Sequence, residues 1–285
     1  MQAEVVLEAN GSLTEGPVWS AAERALYWVD IAGMAVHRLA DGEVRTWQVD
    51  SEVGCVVLRE DGGAVVALRD GFHSLDLESG SLALLANPPR DESRNRFNDG
   101  KCDPQGRLWA GTVDDLGEPS AALYRLDPDG SWELVRDRVM CSNGLGWSPD
   151  GLTFYYTDSY THRIDAYDFD PATGELANER VFARDEGGSV PDGLAVDEEG
   201  FVWNAKWDGW KVVRYAPDGT VDREVAMPVQ RPTSVAFGGE DLNVLYATSA
   251  RWGIPASDLA SQPLAGAIFA IDAGVRGVPV AGFDG

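Results

Sequence analysis

Six residues recur at one place in a repeated pattern, ten or eleven positions ahead of the centre of an apolar or aromatic strand: Glu15, then Gly54 or Cys55, Asn98, Asn143, Asp192 and Ser234. Glu15, Asn98, Asn143 and Asp192 carry a carboxylate or amide oxygen. Gly16, Gly144 and Gly193 follow directly after Glu15, Asn143 and Asp192, while Asn98 precedes Asp99-Gly100. Taken singly, an Asn or Asp before glycine is a turn residue. Taken as a register-matched set, Glu15, Asn143 and Asp192 place oxygen donors from separate repeats around one axis, and all-oxygen donors suit a hard divalent cation. A purely structural ring would use Val, Ala or Ser, because buried polar groups are costly unless satisfied and like carboxylates repel.

Side chains alternate along an extended segment, so Arg96 and Asn98 are expected to point to the channel mouth and Asp99 away. A guanidinium there either holds a substrate oxygen or pairs with the loop acids Asp91 and Glu92. Glu118 is read as an acceptor for a sugar hydroxyl or as a solvated loop acid. The three histidines, His37, His73 and His162, read as surface residues, and no GxSxG occurs. A Ser-His or Cys-His nucleophile is therefore unsupported. Cys102 and Cys141 read as packing residues.

The elements that must position these side chains are six copies of one unit. Their second strands centre near Leu26, Val65, Leu108, Phe154, Val202 and Leu245, a spacing of roughly 40 to 48 residues that matches propeller blades. The turns are explicit: Asp103-Pro-Gln-Gly106, Asp127-Pro-Asp-Gly130, Ser148-Pro-Asp-Gly151 and Ala216-Pro-Asp-Gly219 set proline where φ is fixed and glycine where φ is positive. The expected fold is all-β, a six-bladed β-propeller with a central metal site, built as a single domain over residues 1–285. Ala3 to Leu7 reads as a strand that closes the ring, although Gly277 to Phe283 could fill the same edge. Loops after the second strands (31–33, 71–72, 114–120, 159–162, 207–209 and 251–265) should wall the site, the last with a turn of helix and a lid-like Trp252 and Pro255.

Composition narrows the partners. The 285 residues carry a net charge of -24 and their lysines are Lys101, Lys206 and Lys211, so a nucleic-acid backbone would be repelled. Cys55, Cys102 and Cys141 are odd in number and lack CxxC spacing, and no leader precedes Glu4; a cytoplasmic protein is expected. The apolar runs are strand-sized, so no membrane span is expected.

With these residues in hand, the chain resembles the senescence marker protein 30/gluconolactonase/regucalcin-like family over nearly its whole length. The likeness rests on EGPVW from Glu15, RFNDGKCDPQGRLWAGT from Arg96, SNGLGWSPDG from Ser142, PDGLAVDEEGFVW from Pro191 and TSVAFGG from Thr233. The resemblance implies a sugar lactonase hydrolysing aldonolactones to aldonic acids, with Glu15, Asn143 and Asp192 as metal ligands and Arg96, Asn98 and Glu118 contacting the substrate. It also implies one divalent ion among calcium, zinc, manganese, magnesium and iron; the oxygen-only donor set favours calcium. The expected mechanism is metal polarisation of the lactone carbonyl and attack by a water at Asp192. A phosphotriesterase-like hydrolase and a non-enzymatic calcium-binding propeller are the alternatives, and a monomer or weak homo-oligomer is expected.

Overall fold

Strand-forming residues separated by Gly, Pro and Asp turns build six four-stranded antiparallel sheets in the computed structural model, which describes residues 1–185 and 187–285. The first blade comprises β2 (Thr14–Ser20), β3 (Ala25–Asp30), β4 (Ala35–Ala40) and β5 (Glu43–Gln48). The second holds β6 (Val53–Leu58), β7 (Ala64–Leu68), β8 (Gly71–Leu75) and β9 (Leu82–Ala86). The third holds β10 (Asn95–Cys102), β11 (Leu108–Asp114), β12 (Ala121–Leu126) and β13 (Trp132–Val139). The fourth holds β14 (Ser142–Trp147), β15 (Thr153–Asp158), β16 (Arg163–Phe169) and β17 (Leu176–Arg184). The fifth holds β18 (Val190–Val196), β19 (Val202–Trp207), β20 (Lys211–Tyr215) and β21 (Val221–Ala226). The last combines β22 (Pro232–Gly238), β23 (Val244–Ser249) and β24 (Ile268–Asp272) with the N-terminal β1 (Ala3–Leu7).

The first strand of each blade lies innermost, and these strands pack side by side around the axis, β2 touching both β6 and β22. Each sheet buries both faces against its neighbours, so the apolar core is divided among the blade interfaces. Tyr27 and Val66 meet between the first two blades, Phe72 and Phe97 between the second and third, and Trp109 and Phe154 between the third and fourth. Outer strands turn exposed, polar in β5 but apolar in β9.

The N-terminal strand closes the ring: Ala3 pairs with Ile271 and Val5 with Phe269. The segment 277–283, the other candidate for that edge, instead crosses the end of the channel opposite the candidate site. There it bridges Gly277 to Asp197 and Phe283 to Arg59. Residues 71–72 begin β8 and are no wall loop, the turn falling just before them. His73 departs from its expected surface place: its strand is covered on both faces, leaving it 8% exposed with Asp70 3.6 Å from its ring. The short helix α1 (Ala256–Leu259) sits inside the long loop as expected.

One local device recurs in the third and fifth blades. Asp103 accepts the backbone N–H groups of Gln105 and Arg107 on one oxygen, and the Trp109 indole N–H and Arg107 Nε on the other. Asp197 repeats this with Glu199 and Phe201, then Trp203 and Arg214. Each carboxylate buckles the inner hairpin to the tryptophan six residues on.

Candidate active site at the channel mouth

All six inner strands lose their pairing register at the same level. The slips fall between Glu15 and Val18, Val53 and Cys55, Phe97 and Asp99, Asn143 and Leu145, Pro191 and Leu194, and Pro232 and Val235. A bulge adds a residue to one strand and re-aims its side chain. Here the re-aimed residues are the ring identified from the sequence. The glycines beside them let neighbouring blades approach: a Cβ on Gly144 would lie 2.6 Å from the Asp192 carbonyl oxygen, and one on Gly193 2.0 Å from Ser234 Oγ.

Glu15, Asn98, Asn143 and Asp192 are all buried, none more than 7% exposed. The amide of Asn143 is oriented by its Nδ2, which donates to Ser159 Oγ at 2.9 Å; Ser159 in turn donates to the Pro191 carbonyl. Asn98 donates to the Ser142 carbonyl at 2.8 Å and accepts from Arg96 Nη1 at 2.8 Å. Glu15 is steadied by the Gly16 N–H at 2.9 Å. That leaves Asn143 Oδ1 and Asp192 Oδ1 buried with no hydrogen-bond partner among the described residues. Buried oxygens left bare are rare and costly. Such oxygens, with Glu15 in the same ring, fit a hard cation. Among the described residues no three His, Cys, Asp or Glu side chains gather at metal distance; the ring mixes two carboxylates with an amide.

The electrostatics agree. Burial, then the charge of Asp99, pushes the Glu15 carboxyl up to about 8, against the Gly16 N–H and Arg96. Burial raises Asp99 to about 6, and Asp192 goes well above the carboxylate range through burial, Glu15 and Asp99. Three carboxylates that cannot comfortably ionise together are stabilised by positive charge.

Asp99 was expected to turn away from the channel; the bulge at Asn98 breaks strict alternation, and Asp99 joins Glu15 and Asp192 electrostatically. Arg96 makes no ion pair within 4 Å among the described residues and donates to Asn98 and to the Phe97 carbonyl, so pairing with Asp91 or Glu92 is not what holds it. Glu118 lies in an exposed loop that Asp114 organises by accepting the Glu118 and Leu116 N–H groups. Sequence reasoning placed Ser159 only as the start of a wall loop, turned Asp99 away and missed Lys206. Lys206 is 1% exposed, 2.8 Å from Asp185, on a strand paired beside Pro191. Its rarity in a chain with three lysines was the available signal.

A six-bladed propeller whose bulged inner strands converge oxygen donors on its axis defines a class of hub-centred propellers. Within it, residues 13–251 match the SMP-30/gluconolactonase/LRE-like region, and the chain belongs to that family. The chain is 44% identical to the 6-deoxy-6-sulfogluconolactonase of Pseudomonas putida, with 95% of each chain covered. It is 40% identical to regucalcin of Gallus gallus, with 99% of each covered. Among solved structures, a calcium-binding regucalcin from Agrobacterium tumefaciens superposes with a TM-score of 0.93 at 27% identity, covering 100% of this chain and 97% of that one.

Proposed function

We propose that this enzyme opens the ring ester of sugar lactones, with one divalent cation held by Glu15, Asn143 and Asp192. Support for the substrate class comes from the sulfogluconolactonase relative and from family membership. The observation that carries the cation is the pair of bare buried oxygens on Asn143 and Asp192. Calcium is the favoured ion, because oxygen-only donors suit it better than zinc and the regucalcin structure is described as calcium-binding. When bound, such an ion supplies Lewis acidity toward a carbonyl oxygen and the negative charge that develops on it.

The chain's own residues supply the rest. Arg96, with no ion pair to satisfy among the described residues, offers its free donors to ring or hydroxyl oxygens of the sugar. Asn98, pinned by Arg96 and by the Ser142 carbonyl, presents a fixed amide to the same substrate. Glu118 reaches the sugar from the rim. Asp192 orients the attacking water; a carboxylate beside a dication is a weak base, so orientation is its larger share.

The test is a pH-stat panel of glucono-, xylono- and arabinono-lactones on chelated enzyme, with ions restored one at a time and organophosphates run alongside. Turnover of at least one aldonolactone that vanishes on chelation and returns with calcium is expected. Full activity in chelator would remove the cation from the reaction, and turnover confined to organophosphates would remove the lactone.

A further inference from the structure

Where an inner strand slips, carbonyls inside the bulge lose their ladder partners and must be held by something else. In the fifth blade the slip spans Asp192 and Gly193, between the pairs Pro191–Lys206 and Leu194–Asn204. Asn204 supplies the donor: its Nδ2 donates to the Asp192 carbonyl at 2.7 Å and to the Gly193 carbonyl at 3.2 Å. The preceding carbonyl, that of Pro191, accepts from Ser159 Oγ at 2.7 Å. Side chains of the fourth and fifth blades thus fix the carbonyls of Pro191, Asp192 and Gly193 in succession. Packing alone does not call for an amide at this place. The residues that resume pairing after the slips of the other blades are Tyr27, Ala67, Gly111, Tyr156 and Ala247. Asn204 is fully buried, and its Oδ1 has no hydrogen-bond partner among the described residues. A bare buried acceptor is destabilising, so an apolar side chain would fill this space at less cost. The two bonds to the bulge are what the amide adds.

We propose that Asn204 is a positioning residue for the divalent ion: by clamping the bulge it fixes the Asp192 backbone, and so the place from which the bare Asp192 Oδ1 is offered. This rests on the cation reading of the site. Asn204 stands on β19, one strand out from the ring, and acts only through Asp192. Groups that orient a ligand from behind govern metal affinity nearly as strongly as the ligand itself, because a donor slightly out of place binds poorly. The sixth blade provides the comparison. There the Thr248 hydroxyl accepts the Ser234 N–H at 3.2 Å and lies 3.3 Å from the Ser234 carbonyl. Ser234 is not among the proposed ligands, so the same kind of clamp serves the fold alone.

The test compares wild type, Asn204→Ala and Thr248→Val by calorimetric calcium titration, thermal melting in chelator and in calcium, and lactone kinetics at saturating calcium. Asn204→Ala installs the residue found at this step in the second and sixth blades. It should bind calcium about tenfold more weakly or worse, and calcium should raise its melting temperature less than that of wild type. Its kcat should fall about tenfold while KM stays within about twofold, because Arg96 and Asn98 stand on the third blade. Thr248→Val should melt below wild type yet keep calcium affinity within about twofold and the full calcium-induced rise. Wild-type calcium affinity in Asn204→Ala, or an equal loss of affinity in Thr248→Val, would make Asn204 an ordinary packing residue and end the inference. If Asn204→Ala does not fold in chelator, Asn204→Val, which refills the space without a donor, is titrated in its place. Failure of both to fold in chelator also counts against the inference, since a positioning role leaves the ion-free fold standing. A wild-type protein that binds no divalent ion fails the cation reading instead, a result reached before any variant is made.

Discussion

Asn143 and Asp192 each keep a buried side-chain oxygen without a partner, a cost of about 1–3 kcal/mol apiece that folding must carry. Asp192→Ala removes one such group together with a carboxyl whose ionisation the hub resists. In chelator this variant should melt above wild type, while calcium no longer raises its melting temperature and lactone turnover falls about a hundredfold or more; calorimetry and the pH-stat check each arm. The raised carboxyls also fix a pH dependence. Glu15 in the ion-free protein holds its proton up to about 8, whereas an unfolded chain releases it near 4.5. Between those values the folded state binds more protons, so stability is fully present below about 4.5 and is lost as pH rises through 8. Asp99, raised to about 6 from 3.8, adds the same sign over its own interval. Chelated protein should therefore melt progressively lower from pH 5 to pH 8, and saturating calcium should flatten that slope.

Among the elements, the buckled hairpins show how position is held against the bulges just above them. Asp197 joins a turn, the Trp203 indole and Arg214 within a few ångströms of the fifth blade's channel strand. Removing it strands a buried guanidinium and an indole N–H together, so Asp197→Ala should cost about 3 kcal/mol, read by urea denaturation. Glu199 and Asp222 still contact Arg214 and hold the loss to that order. The same spacing, Asp103 to Trp109 and Asp197 to Trp203, was printed in the sequence as a six-residue interval. It went unread because the Pro and Gly of the turns explain the hairpins on their own.

For the whole molecule, period and turn chemistry were enough to place all six blades, since a repeat states its fold many times over. The ring of Glu15, Asn98, Asn143, Asp192 and Ser234 was legible for the same reason: equal register in unequal blades. What was not legible follows from the bulges. Strict alternation sends Asp99 outward, and only the slip at Asn98 brings it back. The partnership of Lys101 with the Leu194 carbonyl joins residues 93 apart across the axis, which no local pattern encodes. Nor could the sequence choose which end sealed the wheel. With β1 in that role, deleting residues 1–7 exposes the edge of β24, strips its ladder hydrogen bonds, and should cost about 2–5 kcal/mol with concentration-dependent aggregation seen by light scattering.

That seam also orders events in time. The strand that latches the ring leaves the ribosome early, yet its partner Ile268–Asp272 is made about 260 residues later. During synthesis the first five blades can form one after another, while the sixth waits for a segment translated long before it. Until that segment is made, residues 3–7 have no strand to pair with, and it is there that a chaperone would have reason to wait.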